Sequence, residues 1–402
     1  MALLSAVKLW LALVVGGLIL VVTLNIVADP LDVYRVVHAE GFNVIKPKVD
    51  SYSRLSKPMQ VQRRQAKLLV MGSSRAEYGI PMTHSALGDS VYSYTMSGTN
   101  IYHTMRFFQH AVAQSEVKEL VLGLDFFMFN SHAIEGLDAE DILAVTANND
   151  INTAFKMNQW LKTLLSLDMF KISMKTLSRQ KIKYQRFDEL GNMTLKNITD
   201  YPTEFSHVQT VYAHKVWSEC KGELFEFQRG DGSGDTFHYL QRILTLANDN
   251  NIKVTLYISG SHAYLWEMLD YMGLWSKFED WKTQLSALAD RYPEVPLWDF
   301  SGYHAYSVEV VPQNGEGGMQ WYMDASHFLP RLGSKMLAQM FQQSSDGFGV
   351  LLNSGMMAAH LQGIREAQGI YRQGLPVAVK NAQKAIAQVA KKSHLDNGLV
   401  CH

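Results

Sequence analysis

Short apolar runs alternate with helical patterns through the middle of the chain. The runs are Lys67–Met71, Val91–Tyr94, Glu119–Leu124, Lys253–Ile258 and Pro296–Phe300. Between them, apolar residues recur every three or four positions at Ile101, Met105, Phe108 and Val112, and again at Phe237, Leu240, Leu244 and Ala247. The first spacing is typical of buried strands and the second of amphipathic helices. This alternation predicts an α/β fold, with a three-layer parallel sheet flanked by helices at residues 67–345.

One connection in this pattern is much longer than a crossover helix requires. Leu124 and Lys253 are separated by 128 residues, which predicts an insertion at about residues 131–235. Most of Ile151–Gln180 has a helical pattern, and Asp188–Asn192 is typical of a turn. We expect this helical insertion to form one wall of a cleft.

The last part of the chain, residues 346–402, is predicted to be a tail of one or two amphipathic helices. Leu361, Ile364 and Tyr371 share one helical face, and Ala382, Ala385, Ile386 and Val389 share another. From Leu361 onward there are six basic and two acidic residues. Two interpretations stay open: a solvated helical tail, or a surface that docks on a partner or an anionic membrane.

The amino-terminal pattern differs from all of these. Leu9–Ala28 contains twenty residues without a charge, enough for a helix to span a hydrocarbon core of ~30 Å. The run exceeds the roughly 7–15 apolar residues of a cleaved signal peptide, so we favour a single-pass anchor at residues 1–28. A signal peptide cleaved after Ala28 is the alternative. Lys8 precedes the run, whereas Asp29 and Asp32 follow it, so the remaining chain is predicted to be extracytoplasmic.

Residues 29–66 show no sustained periodicity and are predicted to form a membrane-proximal connector.

The overall composition mainly excludes classes of protein and of site. The chain is 47% apolar with a net charge of −1, which excludes a disordered chain and gives no drive toward nucleic acid. Cys220 and Cys401 are too few for a disulfide framework or a zinc site, although one disulfide between them stays open. No cofactor is expected, because the chain has neither a GxGxxG after a strand nor an HExxH.

Three polar residues offer the parts of a nucleophilic site. Ser74 follows the first predicted strand, on the turn where a parallel sheet presents its ligand-binding edge. Asp324 and His327 are three residues apart, a spacing that lets a carboxylate hold an imidazole whose other nitrogen reaches a serine. Each piece alone is common, and it is their joint placement that indicates a catalytic set.

The stretch Gly72–Gly79 resembles the first block of the SGNH (GDSL-type) hydrolases. In that block a Gly-Asp-Ser-Leu-type turn carries the nucleophile, and a glycine follows five residues later. Ser74 takes the nucleophile position and Gly79 the later glycine, while Ser73 stands where the family usually has aspartate.

Further positions match the family's other blocks. Asp324 and His327 match its Asp-x-x-His block, and Gly98 follows the second strand as the oxyanion-hole glycine does. The third block, Gly-x-Asn-Asp, departs here, because Asp125 occupies the asparagine position and a carboxylate does not donate to an oxyanion unless protonated. Asn100 is the substitute donor we expect, with backbone amides alone as the alternative.

Within this superfamily the chain resembles single-pass, membrane-anchored SGNH-like proteins of cell-surface polysaccharide acylation. The resemblance implies an acyl-serine at Ser74, with transfer to a sugar hydroxyl or to water. It also implies a bacterial cytoplasmic (inner) membrane, a periplasmic catalytic domain, a surface polysaccharide and a multi-pass membrane acyltransferase as partners. A non-catalytic polymer-binding or scaffold subunit is the main alternative, and a secreted-type lipase is the third.

Weaker candidates for substrate binding are His262, Arg75 and Asp125. His262 follows the fourth predicted strand, where it either lines the cleft or stabilises a turn. Arg75 either neutralises a substrate carboxylate or forms an exposed salt bridge. The aromatic residues Trp321 and Tyr322 suit stacking on sugars, but core packing is the stronger expectation for each.

Overall fold

The computed structural model describes residues 2–134, 136–182, 186–194, 225–311, 319–342 and 347–397. Cys220 and Cys401, and with them the question of their pairing, lie outside these residues. Contacts divide the chain into two compact units. The first, here the anchor unit, comprises Met1–Ala66, Arg106–Glu116 and Leu137–Thr194. The second, here the sheet unit, comprises Lys67–Met105, Val117–Gly136 and Leu195–His402.

The regular elements follow the predicted alternation. The α-helices are α1 (Ala2–Ala28), α2 (Ser53–Arg64), α3 (Ser74–Gly79), α4 (Ile101–Gln114), α5 (Phe155–Thr163), α6 (Leu167–Ser178), α7 (Thr236–Asp249), α8 (Ala263–Tyr271), α9 (Trp275–Ala289), α10 (Pro330–Met340), α11 (Met357–Gly374) and α12 (Pro376–Asn397). The strands are β1 (Leu68–Met71), β2 (Val91–Ser93), β3 (Glu119–Leu124), β4 (Lys253–Ile258), β5 (Leu297–Asp299) and β6 (Val350–Leu352).

The strands form one sheet in the order β2-β1-β3-β4-β5-β6. The first five are parallel, which confirms the predicted α/β fold, and every residue of β1 is buried, as expected for a sheet covered on both faces. The sixth strand pairs antiparallel with β5. It lies in the segment predicted as a helical tail, so that segment begins with an edge strand.

The strand order creates a crevice at one edge of the sheet. The chain passes from β1 to β2 on one side and then returns to β3 on the other side of β1. Loops that leave the carboxyl ends of two such strands diverge, and this is where open α/β sheets bind ligands. The loop after β1 begins at Gly72 and the loop after β3 begins at Asp125, and both carry predicted site residues.

The two tail helices, α11 and α12, are present as predicted, but the described part of the tail packs on the sheet unit. Tyr371 and Val379 share a buried cluster with Ala263 of α8. The Arg372 guanidinium bonds to the carboxylate of Glu267, which is fully buried. The interpretation of a solvated tail is therefore wrong for these residues.

A buried charge cluster joins this tail to the sheet. The Lys282 ammonium lies 2.8 Å from a carboxylate oxygen of Asp299, and both side chains are fully buried. His360 of α11 also lies 2.8 Å from that carboxylate. Burial alone raises the pKa of the Asp299 carboxyl, but Lys282 and His360 together hold it below its ordinary value.

In the anchor unit, α1 is exposed along most of its length and becomes buried at its carboxyl end. The Lys46 ammonium donates to the Ala28 carbonyl, 3.1 Å away, and the Asn43 amide donates to the Val27 carbonyl, 2.8 Å away. Both bonds satisfy carbonyls that the last turn of a helix leaves without a partner. Ala28 and Asp29 are completely buried.

The connector and the insertion are both more ordered than a linker. Residues 29–66 contain α2, which the sequence pattern did not reveal, because most of its residues are polar and half of its buried stretch Ser56–Val61 is polar as well. Ile151–Gln180 contains α5 and α6 as predicted, and Asp188–Asn192 forms the predicted turn, closed by the bridge between Phe187 and Met193. Contacts within the anchor unit place α6 against α1. That the insertion forms a wall of the cleft stays a prediction.

We predict that Lys282→Met destabilises the protein by about 3–5 kcal/mol, because it leaves the Asp299 carboxylate buried with too little positive charge. The double variant Lys282→Met/Asp299→Asn should recover much of this loss, since the buried charge is then removed. Thermal unfolding followed by intrinsic fluorescence measures both, with Lys253→Met as the control at an exposed lysine. Equal melting temperatures for the single and double variants would contradict the argument.

Candidate active site

Ser74 is held at the point where β1 turns into α3. Gly72 has a φ of +146°, a region that favours glycine, and a Cβ there would lie 3.0 Å from that of Ala76 and 3.2 Å from the Gly123 carbonyl. Ser73 is the N-cap of α3, and its hydroxyl accepts from the Arg75 N–H. Ser74 is therefore the first helical residue, and its side chain lies at the carboxyl edge of the sheet.

The structure brings Ser74, His327 and Asp324 into one hydrogen-bonded chain. The Ser74 Oγ lies 2.8 Å from His327 Nε2, and His327 Nδ1 lies 2.6 Å from an Asp324 carboxylate oxygen. The other Asp324 oxygen accepts from the backbone N–H groups of Ser326 and His327. Burial alone raises the pKa of the Asp324 carboxyl, but His327 and these N–H groups hold it below its ordinary value. Asp324 is thus ionised at neutral pH and can hold the imidazole.

His327 lies on a tight turn immediately before α10. An isolated antiparallel bridge joins Tyr322 and Phe328, and the Met323 N–H donates to the His327 carbonyl at 2.9 Å. Pro330 opens α10 three residues after His327. The Tyr78 ring meets the imidazole edge to face, with centroids 5.2 Å apart.

Close packing between α3 and the segment after His327 sets their separation. A Cβ on Gly79 would lie 2.1 Å from the ring of Phe328, and a Cβ on Gly333 would lie 1.9 Å from the Gly79 carbonyl oxygen. Neither position has room for a side chain. Gly79, which matches the later glycine of the family's first block, is therefore where the helix of Ser74 contacts the block of His327.

A pocket of about 90 Å³ opens beside Ser74. It is lined by Ser73, Ser74, Arg75, Gly98, Thr99, Asn100, Asp125, Phe127, Met128, Ala133 and Ser326. Both predicted oxyanion residues, Gly98 and Asn100, are thus at the pocket. Tyr78, Ala133, Phe127 and Met128 were not predicted from the sequence. Only the last two had a signal there, since they are apolar residues directly after β3.

The geometry at Asn100 suits a hydrogen-bond donor. Its Oδ1 accepts from the His103 N–H, which fixes the amide plane, and its Nδ2 donates to the Ala133 carbonyl at 3.2 Å. Within the described residues, the second Nδ2 hydrogen has no acceptor. The backbone N–H of Ser74 is a further donor that the sequence analysis did not name, since the first turn of a helix has no internal acceptor. Gly98 has a φ of +68°, which favours glycine.

Asp125 and Ser73, the two departures from the family pattern, contact each other. The Ser73 hydroxyl donates a short hydrogen bond to a carboxylate oxygen of Asp125. The Arg75 guanidinium lies 3.3 Å from the same oxygen and donates to the Ser326 carbonyl. Arg75 is 7% exposed, so the expected exposed salt bridge is wrong, and its partner within the pocket is Asp125.

His262 is not among the pocket-lining residues. It is 1% exposed, its Nε2 donates to the Glu309 carbonyl at 2.7 Å, and its Nδ1 accepts from the Tyr264 N–H as the N-cap of α8. Burial lowers the pKa of His262 to about 4, so it is neutral at pH 7. Of its two interpretations, the structural turn fits these contacts, and the cleft-lining role does not.

The aromatic residues near the Asp-x-x-His block pack inward, which agrees with the stronger expectation of core packing. Tyr322 is completely buried. Trp321 is half-buried against the ring of Tyr306, with centroids 4.7 Å apart.

We predict that Ser73 and Asp125 are coupled. Ser73→Asp alone sets two carboxylates side by side, and Asp125→Asn alone leaves the buried Arg75 without its counter-ion. The double variant Ser73→Asp/Asp125→Asn restores one acid beside Arg75. We therefore expect a coupling free energy of about 1–3 kcal/mol, measured as a double-mutant cycle on thermal stability. Additive losses in the double variant would show that the two positions act independently.

Comparisons with known proteins place these observations in context. No protein-family model matches the chain, and no curated protein matches it. Solved structures do match, among them one described as "a putative platelet activating factor from Streptococcus pneumonia". It shares 10% identity and a TM-score of 0.33, and the match covers 73% of this chain and 92% of that one. At this TM-score the likeness carries no argument, so the case for a function depends on the geometry of the sheet unit.

Proposed function

We propose that the protein is an extracytoplasmic serine-dependent O-acyltransferase or esterase that acts on a cell-surface or exported polysaccharide. The observation that carries the proposal is the hydrogen-bonded chain from Ser74 through His327 to Asp324, with the serine at an open pocket. A nucleophile, a base and an acid that orients the base are the components that acyl transfer through serine requires.

In the first half-reaction the Ser74 Oγ attacks the acyl carbon of the donor. Asp324 accepts the Nδ1–H of His327, so Nε2 carries the lone pair that takes the serine proton. Asn100 and the Ser74 N–H donate to the oxyanion that forms. The intermediate then expels the donor's alcohol, which takes the proton from Nε2, and the acyl group remains on Ser74 as an ester.

In the second half-reaction a hydroxyl group reverses these steps. The acceptor oxygen attacks the acyl carbon while its proton passes to His327 Nε2, and the bond between the acyl carbon and Ser74 Oγ breaks. Ser74 leaves with the proton from Nε2. A sugar hydroxyl gives transfer and water gives hydrolysis.

The size of the pocket bears on the acyl group. About 90 Å³ is open beside Ser74, which is enough for a short acyl group such as acetyl. Because the pocket opens to solvent, this volume does not limit the length of the acyl chain, and a lipase stays the third alternative.

Helix α1 supports a location at the membrane. Within the part of the chain that the structure describes, it is the one helix long and apolar enough to cross a bilayer, with a mean hydropathy of 2.6 over an 18-residue window. A signal sequence passes the same test. The burial of Ala28 and Asp29 favours an uncleaved anchor, since cutting between them would remove a part of the folded anchor unit. The polysaccharide substrate and the multi-pass acyltransferase partner are proposed only because of the resemblance to SGNH-like proteins.

We predict that the purified full chain forms a covalent acyl-enzyme when incubated with p-nitrophenyl acetate. Intact-mass analysis should show one acetyl group, and peptide mapping should place it on Ser74. Ser74→Ala should abolish the adduct, and His327→Ala should slow its formation by about 10²–10⁴-fold, the usual contribution of a general base. Combining them should cost little more, since the pair acts as one unit.

Ser73→Ala is the matched control at the adjacent serine, and it should keep forming the adduct with any loss coming from turn geometry. Label on Ser73 would overturn the assignment of the nucleophile. Failure of the folded wild-type chain to form any adduct would favour the alternative of a non-catalytic polymer-binding or scaffold subunit.

We predict that the chain stays in the membrane fraction during an alkaline carbonate wash, since α1 spans the bilayer. A phosphatase fused after His402, active only outside the cytoplasm, should be active. Release by carbonate, or activity of a reporter that works only in the cytoplasm, would contradict the anchor or its orientation.

A further inference from the structure

The turn between α5 and α6, in the anchor unit, exposes a cluster of large apolar side chains. Trp160, Leu161, Leu165 and Leu167 are 48%, 48%, 42% and 65% exposed. Single exposed apolar residues are common on protein surfaces, but four within eight residues, from the end of α5 to the start of α6, are a concentration that indicates an interaction site. We call these four residues the apolar turn.

Hydrogen bonds fix the apolar turn beside the carboxyl end of α1. The Asn25 amide donates to the carbonyls of Thr163, Leu164 and Ser166 at 2.9–3.2 Å. The Asn25 side chain is buried, and its Oδ1 accepts from the Ser173 hydroxyl at 2.8 Å. The turn cannot move along α1 without breaking this set.

The position of Asn25 along α1 sets the depth of the turn. Asn25 lies three residues before the end of the uncharged run Leu9–Ala28, which at 1.5 Å per residue is about 5 Å. If α1 crosses the bilayer, Asn25 lies where hydrocarbon gives way to headgroups, and the residues bonded to it lie at the same level. The apolar turn therefore faces the interfacial layer.

The residue types of the turn and its flanking helices suit that layer. Tryptophan is enriched at membrane interfaces, and leucine inserts readily at the boundary between headgroups and acyl chains. Helices α5 and α6 together carry four lysines, at positions 156, 162, 171 and 175. Lys162 is paired with Asp141 and Lys171 with Asp168, which leaves the charges of Lys156 and Lys175 without an acidic partner among the described residues. Lysines beside an apolar patch attract anionic headgroups.

We propose that the apolar turn is a second, monotopic membrane contact, which inserts beside α1 into the outer interfacial layer of a bilayer that contains anionic lipid. The proposal rests on the anchor role proposed for α1. Attachment at two points fixes the tilt of the anchor unit against the membrane, which a single helix does not do. A transmembrane protein that covers the same turn is the competing occupant.

Depth-dependent quenching on the full chain tests the proposal. In a background with Cys220→Ser and Cys401→Ser, single cysteines replace Leu167 in the turn, Val14 in the middle of α1, or Ile151, which is 80% exposed and precedes the other end of α5. Each carries a nitrobenzoxadiazole label. The proteins are reconstituted in vesicles of phosphatidylcholine and phosphatidylglycerol, with and without doxyl-labelled lipid.

We expect the labels at positions 167 and 14 to be quenched by doxyl lipid and to emit at shorter wavelength, and the label at 151 to do neither. Adding Leu165→Glu should reduce the quenching at position 167 and leave the quenching at position 14 unchanged. Replacing phosphatidylglycerol with phosphatidylcholine should have the same two effects.

Two results would overturn the proposal, and they show whether the contact of the turn fails alone or the anchor fails with it. Quenching at 14 but not at 167 leaves the anchor intact and removes the contact of the turn. That is also the result expected if a transmembrane protein, absent from these vesicles, is the natural occupant. No quenching at 14 means that α1 does not span the bilayer, and the proposed location fails together with the inference.

Discussion

The contact between Phe328 and Gly79 determines whether the serine and the histidine can meet. Ser74 and His327 are 253 residues apart in the chain, and no local structure links them. Ser74 begins α3 and Gly79 ends it, while His327 directly precedes Phe328. Because the Phe328 ring occupies the space of a side chain at Gly79, and Gly333 lies against the Gly79 carbonyl, the two segments have one close-packed arrangement. The 2.8 Å distance between Ser74 Oγ and His327 Nε2 follows from that packing.

The charges around the pocket form a second constraint, which concerns the proposed reaction rather than the packing. In that reaction, the buried carboxylate of Asp125 would repel the negative charge that develops beside Ser74. Arg75, 3.3 Å from that carboxylate and almost fully buried, offsets this repulsion. The family block that Gly72–Gly79 resembles has an aspartate directly before the serine. Here Ser73 stands at that position and bonds to Asp125 directly after β3, so one acid joins the two loops.

Much of the fold was predictable because it depends on local pattern. The strand runs and the helices α4 and α7 have periodicities that survive in a single sequence, and β3 and β4 begin and end at the predicted residues. The polar helix α2 and the edge strand β6 were not predictable in this way, because contacts with other parts of the fold stabilise them rather than a local pattern. Likewise, the packing of α11 and α12 depends on pairs distant in sequence, such as Arg372 with Glu267.

The candidate site likewise has features that were predictable from the sequence and features that were not. Ser74 and Gly98 were predictable from the strand pattern, since the carboxyl ends of parallel strands share one edge of a sheet. Asp324 and His327 were predictable from their three-residue spacing, and Asn100 only from the resemblance. The sequence could not show that Arg75 is buried against Asp125, because burial depends on the whole fold.

The junction between α1 and the rest of the anchor unit is itself folded structure. Asp29 has a φ of +43°, and its carboxylate accepts from the N–H groups of Val33, Tyr34 and Arg35. Together with the bonds from Lys46 and Asn43, these contacts make the end of the helix a buried core element rather than the start of a tether. A flexible linker would let the anchor unit sample all orientations above a bilayer. A helix that ends in a buried, hydrogen-bonded corner passes its own direction on to the unit. If α1 crosses a bilayer as proposed, its angle there sets which face of that unit the lipid meets.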